Sequence, residues 1–158
     1  MKFWDSSAVV PLLVPEAMSR SLQRLYDAHP AMFAWWATEI ECTSAIARRQ
    51  RLRELRADVV AEAFVRLSGL RAGWHEVEPG EEVRESAKRL LRVHDLRTGD
   101  ALQLAAAFFV AEARPSTLEF VSLDDRLLAA ARLEGFPTTP SASPPAPMPP
   151  RRRIILNE

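Results

Sequence analysis

Short β-like runs alternate with helical segments along this chain, and that order constrains its fold more than any other feature. Phe3-Trp4, Met32 to Ala37, Trp74 to Val77 and Leu118 to Leu123 are compact apolar or aromatic runs of strand length. Between them lie stretches with helical spacing. Ser6 to Val14 is stopped by Pro15, and Glu16 to Ala28 carries Met18, Leu22 and Leu25 on one side. A helix from Thr38 runs into Arg48, Arg49, Arg51, Arg53 and Arg56, and Asp58 opens another that reaches Leu70. Further helices are expected from Pro79 to Leu91, Thr98 to Ala113, and Asp124 to near Gly135. Strands and helices in alternation build a parallel sheet covered by helices.

The 158 residues are enough for one domain and a short tail. Lys+Arg and Asp+Glu balance at 21 each, so any attraction for phosphates must come from local patches. All the basic residues except Lys2 and Lys88 are Arg, whose guanidinium matches phosphate bidentately. A single cysteine, Cys42, excludes disulfide frameworks and Cys-based zinc sites, and fits a reducing cytoplasm. No small-residue cleavage site follows Ala8-Val9-Val10, and no apolar run approaches a membrane span. Composition changes at Pro137, with seven prolines in residues 137–150. The expected division is a domain over 1–137 and a flexible Pro-rich tail over 138–158, ending in Arg151-Arg152-Arg153 and Ile154-Ile155-Leu156. A segment of that kind is suited to docking on a partner or a second copy.

Four acids adjoin the apolar segments: Asp5, Glu41, Asp100 and Asp124. Asp5 ends the first strand and precedes a helix, where it, Ser6 or Ser7 is placed to cap. Asp124 heads a stripe with Leu127, Leu128 and Ala131, and Asp125 is its neighbouring alternative. Asp100 shares a face with Leu104, Ala107, Phe108 and Ala111, so it points to the mouth of the core. Glu41 borders its helix's apolar arc, with Glu39 as a competitor and a capping box with Thr38 as the plain structural role.

Carboxylates aimed at one core edge need a partner. Two of them ~4 Å apart repel by about 4 kcal/mol at an effective dielectric of 20. A hard divalent cation resolves this, since Mg²⁺ takes carboxylate oxygens, water and substrate phosphate. Open α/β sheets bind ligands beyond the carboxyl ends of their strands, where Asp5 and Asp124 fall. A cation there lowers the pKa of a coordinated water and polarises a phosphoryl group, with no protein nucleophile required.

The stretches Phe3-Trp4-Asp5-Ser6-Ser7-Ala8, Glu41-Cys42-Thr43-Ser44-Ala45-Ile46-Ala47-Arg48, Leu96-Arg97-Thr98-Gly99-Asp100-Ala101-Leu102-Gln103-Leu104-Ala105 and Phe120-Val121-Ser122-Leu123-Asp124-Asp125-Arg126-Leu127 occur in an order that resembles PIN-domain proteins, more narrowly VapC-type toxin ribonucleases. The resemblance spans about residues 1–137. It implies an α/β, PIN-like three-layer fold with a central parallel sheet flanked by helices. It also implies a site for Mg²⁺ or Mn²⁺, endonucleolytic cleavage of RNA, a homodimer, and a cognate VapB-like antitoxin. Residue by residue, Asp5, Glu41, Asp100 and Asp124 match the metal-site acids. Ser6 matches the small hydroxyl residue after the first acid, and Ser122 the hydroxyl residue two before the last. Gln103 stands where family members often carry His, and the Pro-rich tail is outside the family pattern.

Arg48 and Arg49 are expected to meet RNA phosphates or antitoxin acids; a solvated helix end is their plain role. Trp35 and Trp36 are read as core strand positions in preference to base-stacking ones. His29, His75 and His94 lack metal-ligand spacing. The expected activity is a Mg²⁺-dependent endoribonuclease, with a catalytically silent PIN-fold RNA- or protein-binding module as the alternative. A phosphotransfer protein fits less well, because no second acid stands two residues after Asp5.

Overall fold

The computed structural model describes residues 1–140. Five short strands, β1 (Lys2–Trp4), β2 (Met32–Trp35), β3 (His75–Val77), β4 (Glu119–Val121) and β5 (Thr138–Thr139), form one sheet in the order β3-β2-β1-β4-β5. Every neighbouring pair is parallel. The helices are α1 (Ser6–Leu13), α2 (Ser19–Ala28), α3 (Thr38–Arg51), α4 (Ala57–Gly73), α5 (Glu81–Val93), α6 (Thr98–Val110) and α7 (Asp125–Leu133).

Alternation along each strand sorts the side chains into two cores. Phe3, Trp35, Val77 and Phe120 face one helical layer and meet Leu90 of α5, Leu104 of α6 and Leu127 of α7. Trp4, Met32, Ala34 and Val121 face the other and meet Val9 of α1, Leu22 of α2, Ile46 of α3 and Leu67 of α4. The result is the three-layer α/β architecture expected. Aromatic stacking reinforces the first core: Phe3 and Phe120 stack at 5.5 Å, and Phe108 meets Phe136 edge-on at 4.9 Å. In α6, Ala101, Ala105, Ala106 and Ala107 are all fully buried, so this helix is enclosed by its neighbours.

The sheet also sets where a ligand fits. The chain passes from β1 to β2 and β3 on one side, and returns to β4 and β5 on the other. Strand order therefore reverses between β1 and β4, which opens a crevice at their carboxyl ends.

Three expectations change. The boundary at Pro137 falls just before β5, whose Thr138 and Thr139 pair with Phe120 and Val121, so the folded unit runs past it. The remainder of the expected tail, with its basic and apolar end, lies outside the described residues. Trp35 is in the core, but Trp36 is 44% exposed, because β2 ends at Trp35 and the chain turns toward α3. Thr38 does not cap α3 either: the N-cap is Ala37, and Thr38 is buried with its hydroxyl turned toward α6.

Candidate active site

Asp5 leaves β1 with its backbone N–H bonded to Val121 O at 2.9 Å, and caps α1. Its Oδ2 accepts from the Ser7 N–H at 3.2 Å, from the Ser7 hydroxyl, and from the Ser122 hydroxyl at 2.9 Å. Ser122, at the end of β4, also accepts the Asp124 N–H at 3.0 Å, so one hydroxyl ties the two strand ends together. Asp124 caps α7 through Oδ1, which accepts the Leu127 N–H at 2.8 Å. Asp125 is exposed on the first turn of α7, whereas Asp124 is half-buried and close enough to Asp100 to repel it.

Asp100 stands on the first turn of α6, with Oδ2 accepting the Arg97 N–H at 3.3 Å. Glu41 projects from α3 and accepts from Gln103 Nε2 at 2.7 Å through Oε2. Its Oε1 lies beside Gly99, where a methyl group would sit 3.5 Å away, so Glu41 reaches the turn that carries Asp100. The Glu41 carboxylate is also close enough to Asp5 to disfavour its anion. The four sequence-predicted acids therefore occupy one neighbourhood at the β1/β4 crevice. None of them forms an ion pair among the described residues.

Burial pushes the Asp5 carboxyl up to about 6, with Glu41 adding to the rise and the Ser7 and Ser122 hydrogen bonds opposing it. Burial also raises Asp100, opposed by the Arg97 N–H and reinforced by the charge of Asp124. A folded-state pKa above the unfolded value of 3.8 means that Asp5 favours folding below that pH. The contribution is lost as pH rises through about 6. At about 1.4 kcal/mol per unit, the effect is on the order of 2–3 kcal/mol. In chelator, the protein should therefore gain stability between about pH 7.5 and about pH 5 relative to Asp5→Asn. Parallel melting-temperature profiles for the two proteins would exclude this account.

Each of the four carboxylates has one oxygen held by the protein and the other free of protein hydrogen bonds among the described residues. Among those residues, no three His, Cys, Asp or Glu side chains close into a ready-made metal cage. The donor set nevertheless suits a hard cation. Mg²⁺ takes one or two carboxylates and keeps several waters, so a closed protein cage is not required. The buried Cys42 is no competing soft ligand, since burial and Glu41 push its thiol up.

Other expected residues divide. Ser122 joins the site; Ser6 makes no side-chain hydrogen bond to Asp5 among the described residues, and Ser7 takes that part. Arg48 is exposed, forms no ion pair among the described residues, and lines a pocket of about 340 Å³ with Leu123 and Ser7, the residue that bonds Asp5. Arg49 is engaged by Glu16 at 2.6 Å. Two contributors, Ser7 and Gln103, were missed as site residues. Ser7 stands two residues after a capping Asp, where a side-chain cap returns to the backbone. Gln103 is one turn from Asp100 on an otherwise apolar helix, an i, i+3 spacing that places both on one side.

Comparison with known proteins agrees with this fold. No protein-family model matches the chain. Ribonuclease VapC45 of Mycobacterium tuberculosis (strain CDC 1551 / Oshkosh) is 30% identical over 143 residues, covering 90% of this chain and 97% of the relative. Among solved structures, Mycobacterium tuberculosis VapC20, a sarcin-ricin loop cleaving toxin, superposes with a TM-score of 0.61 at 21% identity, over 86% of this chain and 96% of the other. A toxin-antitoxin complex from Klebsiella pneumoniae gives a TM-score of 0.57 at 15% identity, over 82% and 91%. An all-parallel five-stranded sheet flanked by helices in this way is the PIN type of fold. Within it, the chain belongs to the VapC ribonuclease family.

Proposed function

We propose that this protein is a Mg²⁺-dependent endoribonuclease and the toxin of a toxin–antitoxin pair. The observation that carries the reading is the set of four carboxylates at the β1/β4 crevice, each with one oxygen tied and one left open. Asp5, Glu41, Asp100 and Asp124 would hold Mg²⁺, or Mn²⁺ in its place. Bound there, the cation would supply Lewis-acid polarisation of a phosphoryl oxygen and acidify water.

The chain's own residues do the rest. Ser7 and Ser122 fix Asp5 Oδ2 and so hold the carboxylate in one orientation. Burial raises the energy of the Asp5 anion and leaves it with unmet demand for positive charge. Asp100 and Asp124 place a second pair of neighbouring negative groups at the crevice. Arg48, free at the rim, steers the RNA backbone toward the acids, while Arg49 braces the helix end through Glu16.

The kinship with VapC45 and the resemblance to a solved toxin–antitoxin complex support a VapB-like antitoxin partner; a homodimer and cytoplasmic action complete the proposal. No described helix is long and apolar enough to cross a membrane. With the purified full chain, chelator should stop cleavage of a synthetic RNA hairpin and added Mg²⁺ should restore it. Undiminished cleavage in chelator would overturn the metal dependence. RNA binding without cleavage, with Mg²⁺ and Mn²⁺ both tried, would favour a silent PIN-fold binding module.

A further inference from the structure

Gln103 takes no part in the chemistry above, yet its setting is unusual. It is 1% exposed in α6, between buried Leu104 and the alanines of that helix. Its Nε2 donates to Glu41 Oε2 at 2.7 Å and to Thr38 Oγ1 at 3.2 Å, both on α3. Its Oε1 is fully buried and has no hydrogen-bond partner among the described residues. An unpaired buried carbonyl oxygen is costly. A methionine would fill the same length without that cost, so packing alone does not account for glutamine here. The amide cannot turn over to relieve the cost, because Oε1 would then face the Glu41 carboxylate oxygen.

We propose that Gln103 is a positioning residue for Glu41. It holds Oε2 so that Oε1 stays beside Gly99, next to Asp100. A neutral donor matters for this role. Arg or Lys in its place would neutralise Glu41 and compete with a cation, whereas an amide orients the carboxylate and leaves its charge whole. The unsatisfied Oε1 is then a stability cost retained for the sake of the site. This inference rests on the reading of the four acids as a divalent-cation site.

The test uses the full chain and Mn²⁺ alone, titrated calorimetrically without RNA. Gln103→Met should bind Mn²⁺ about 10–100-fold more weakly than wild type, as expected when a ligand's supporting hydrogen bond is lost. In a Thr38→Val background, where no buried hydroxyl loses its partner, Gln103→Met should have a metal-free melting temperature equal to or above that of Thr38→Val alone. The Mg²⁺ needed for half-maximal RNA cleavage should rise with the Mn²⁺ dissociation constant, and the rate at saturating Mg²⁺ should fall less. Thr38→Val, which removes the other acceptor, should leave Mn²⁺ binding within about threefold of wild type. Unchanged Mn²⁺ binding by Gln103→Met overturns the proposal, as does weakened binding accompanied by a lower metal-free melting temperature in the Thr38→Val background. Wild type that binds no Mn²⁺ overturns the cation site itself, a result distinct from a failure confined to Gln103.

Discussion

Under the proposed function, replacing Asp5 or Asp100 with Asn should lower RNA cleavage by about 10³-fold, assayed on purified variants at matched concentration with wild type alongside. The size follows from charge. One carboxylate about 4 Å from a cation contributes about 4 kcal/mol at an effective dielectric of 20, and each 1.36 kcal/mol is tenfold in rate. The fold should survive, because Asn keeps an oxygen for the Ser7 N–H and the Ser122 hydroxyl that meet Asp5 Oδ2. At neutral pH without metal, Asp5→Asn should even melt higher than wild type, since it removes a buried anion whose protonation burial favours. Loss of activity with gain of stability separates a functional acid from a structural one. Wild-type cleavage by both variants would remove the acids from the chemistry altogether.

Phe120→Ala should destabilise the protein by about 3–5 kcal/mol. Phe120 is fully buried in the middle of β4, stacked on Phe3 and 6.0 Å from Phe136. Its removal leaves a cavity between the sheet and α6 and α7, and takes two aromatic contacts with it. In a domain of this size, the melting temperature should fall by about 10 °C or more. β4 also carries Ser122 at its end, so the site should lose metal affinity along with the loss of packing. A shift of only a degree or two would mean that the first core is less tightly coupled than its aromatic stacking indicates.

The sheet and its helices were legible because their signals are local. Apolar runs of strand length, helical periodicity and the breaks at Pro15 and Pro79 place most elements within a few residues of those observed. β5 was not legible, because Thr138-Thr139 beside a Pro-rich stretch has no strand pattern of its own; it forms by pairing with β4. The acids were legible as a set because each breaks an apolar pattern. Their individual partners were not. Whether Ser6 or Ser7 meets Asp5 depends on the cap geometry at the start of α1. Whether Thr38 caps α3 or meets α6 depends on how those two helices approach. Asp124 and Asp125 are adjacent in sequence, and only the start of α7 separates a half-buried cap from an exposed first-turn acid.

The crevice joins distant parts of the chain: the hydroxyl that anchors Asp5 belongs to a residue 117 positions away. Closing such long loops is slow, and the contacts that reward closure come late. A nascent polypeptide released anywhere short of Ser122 lacks this anchor, and one released before Glu119 lacks β4 as well, so neither can complete the pocket. Under the proposed function, interrupted synthesis yields inert fragments, and only a finished domain threatens the cell that makes it.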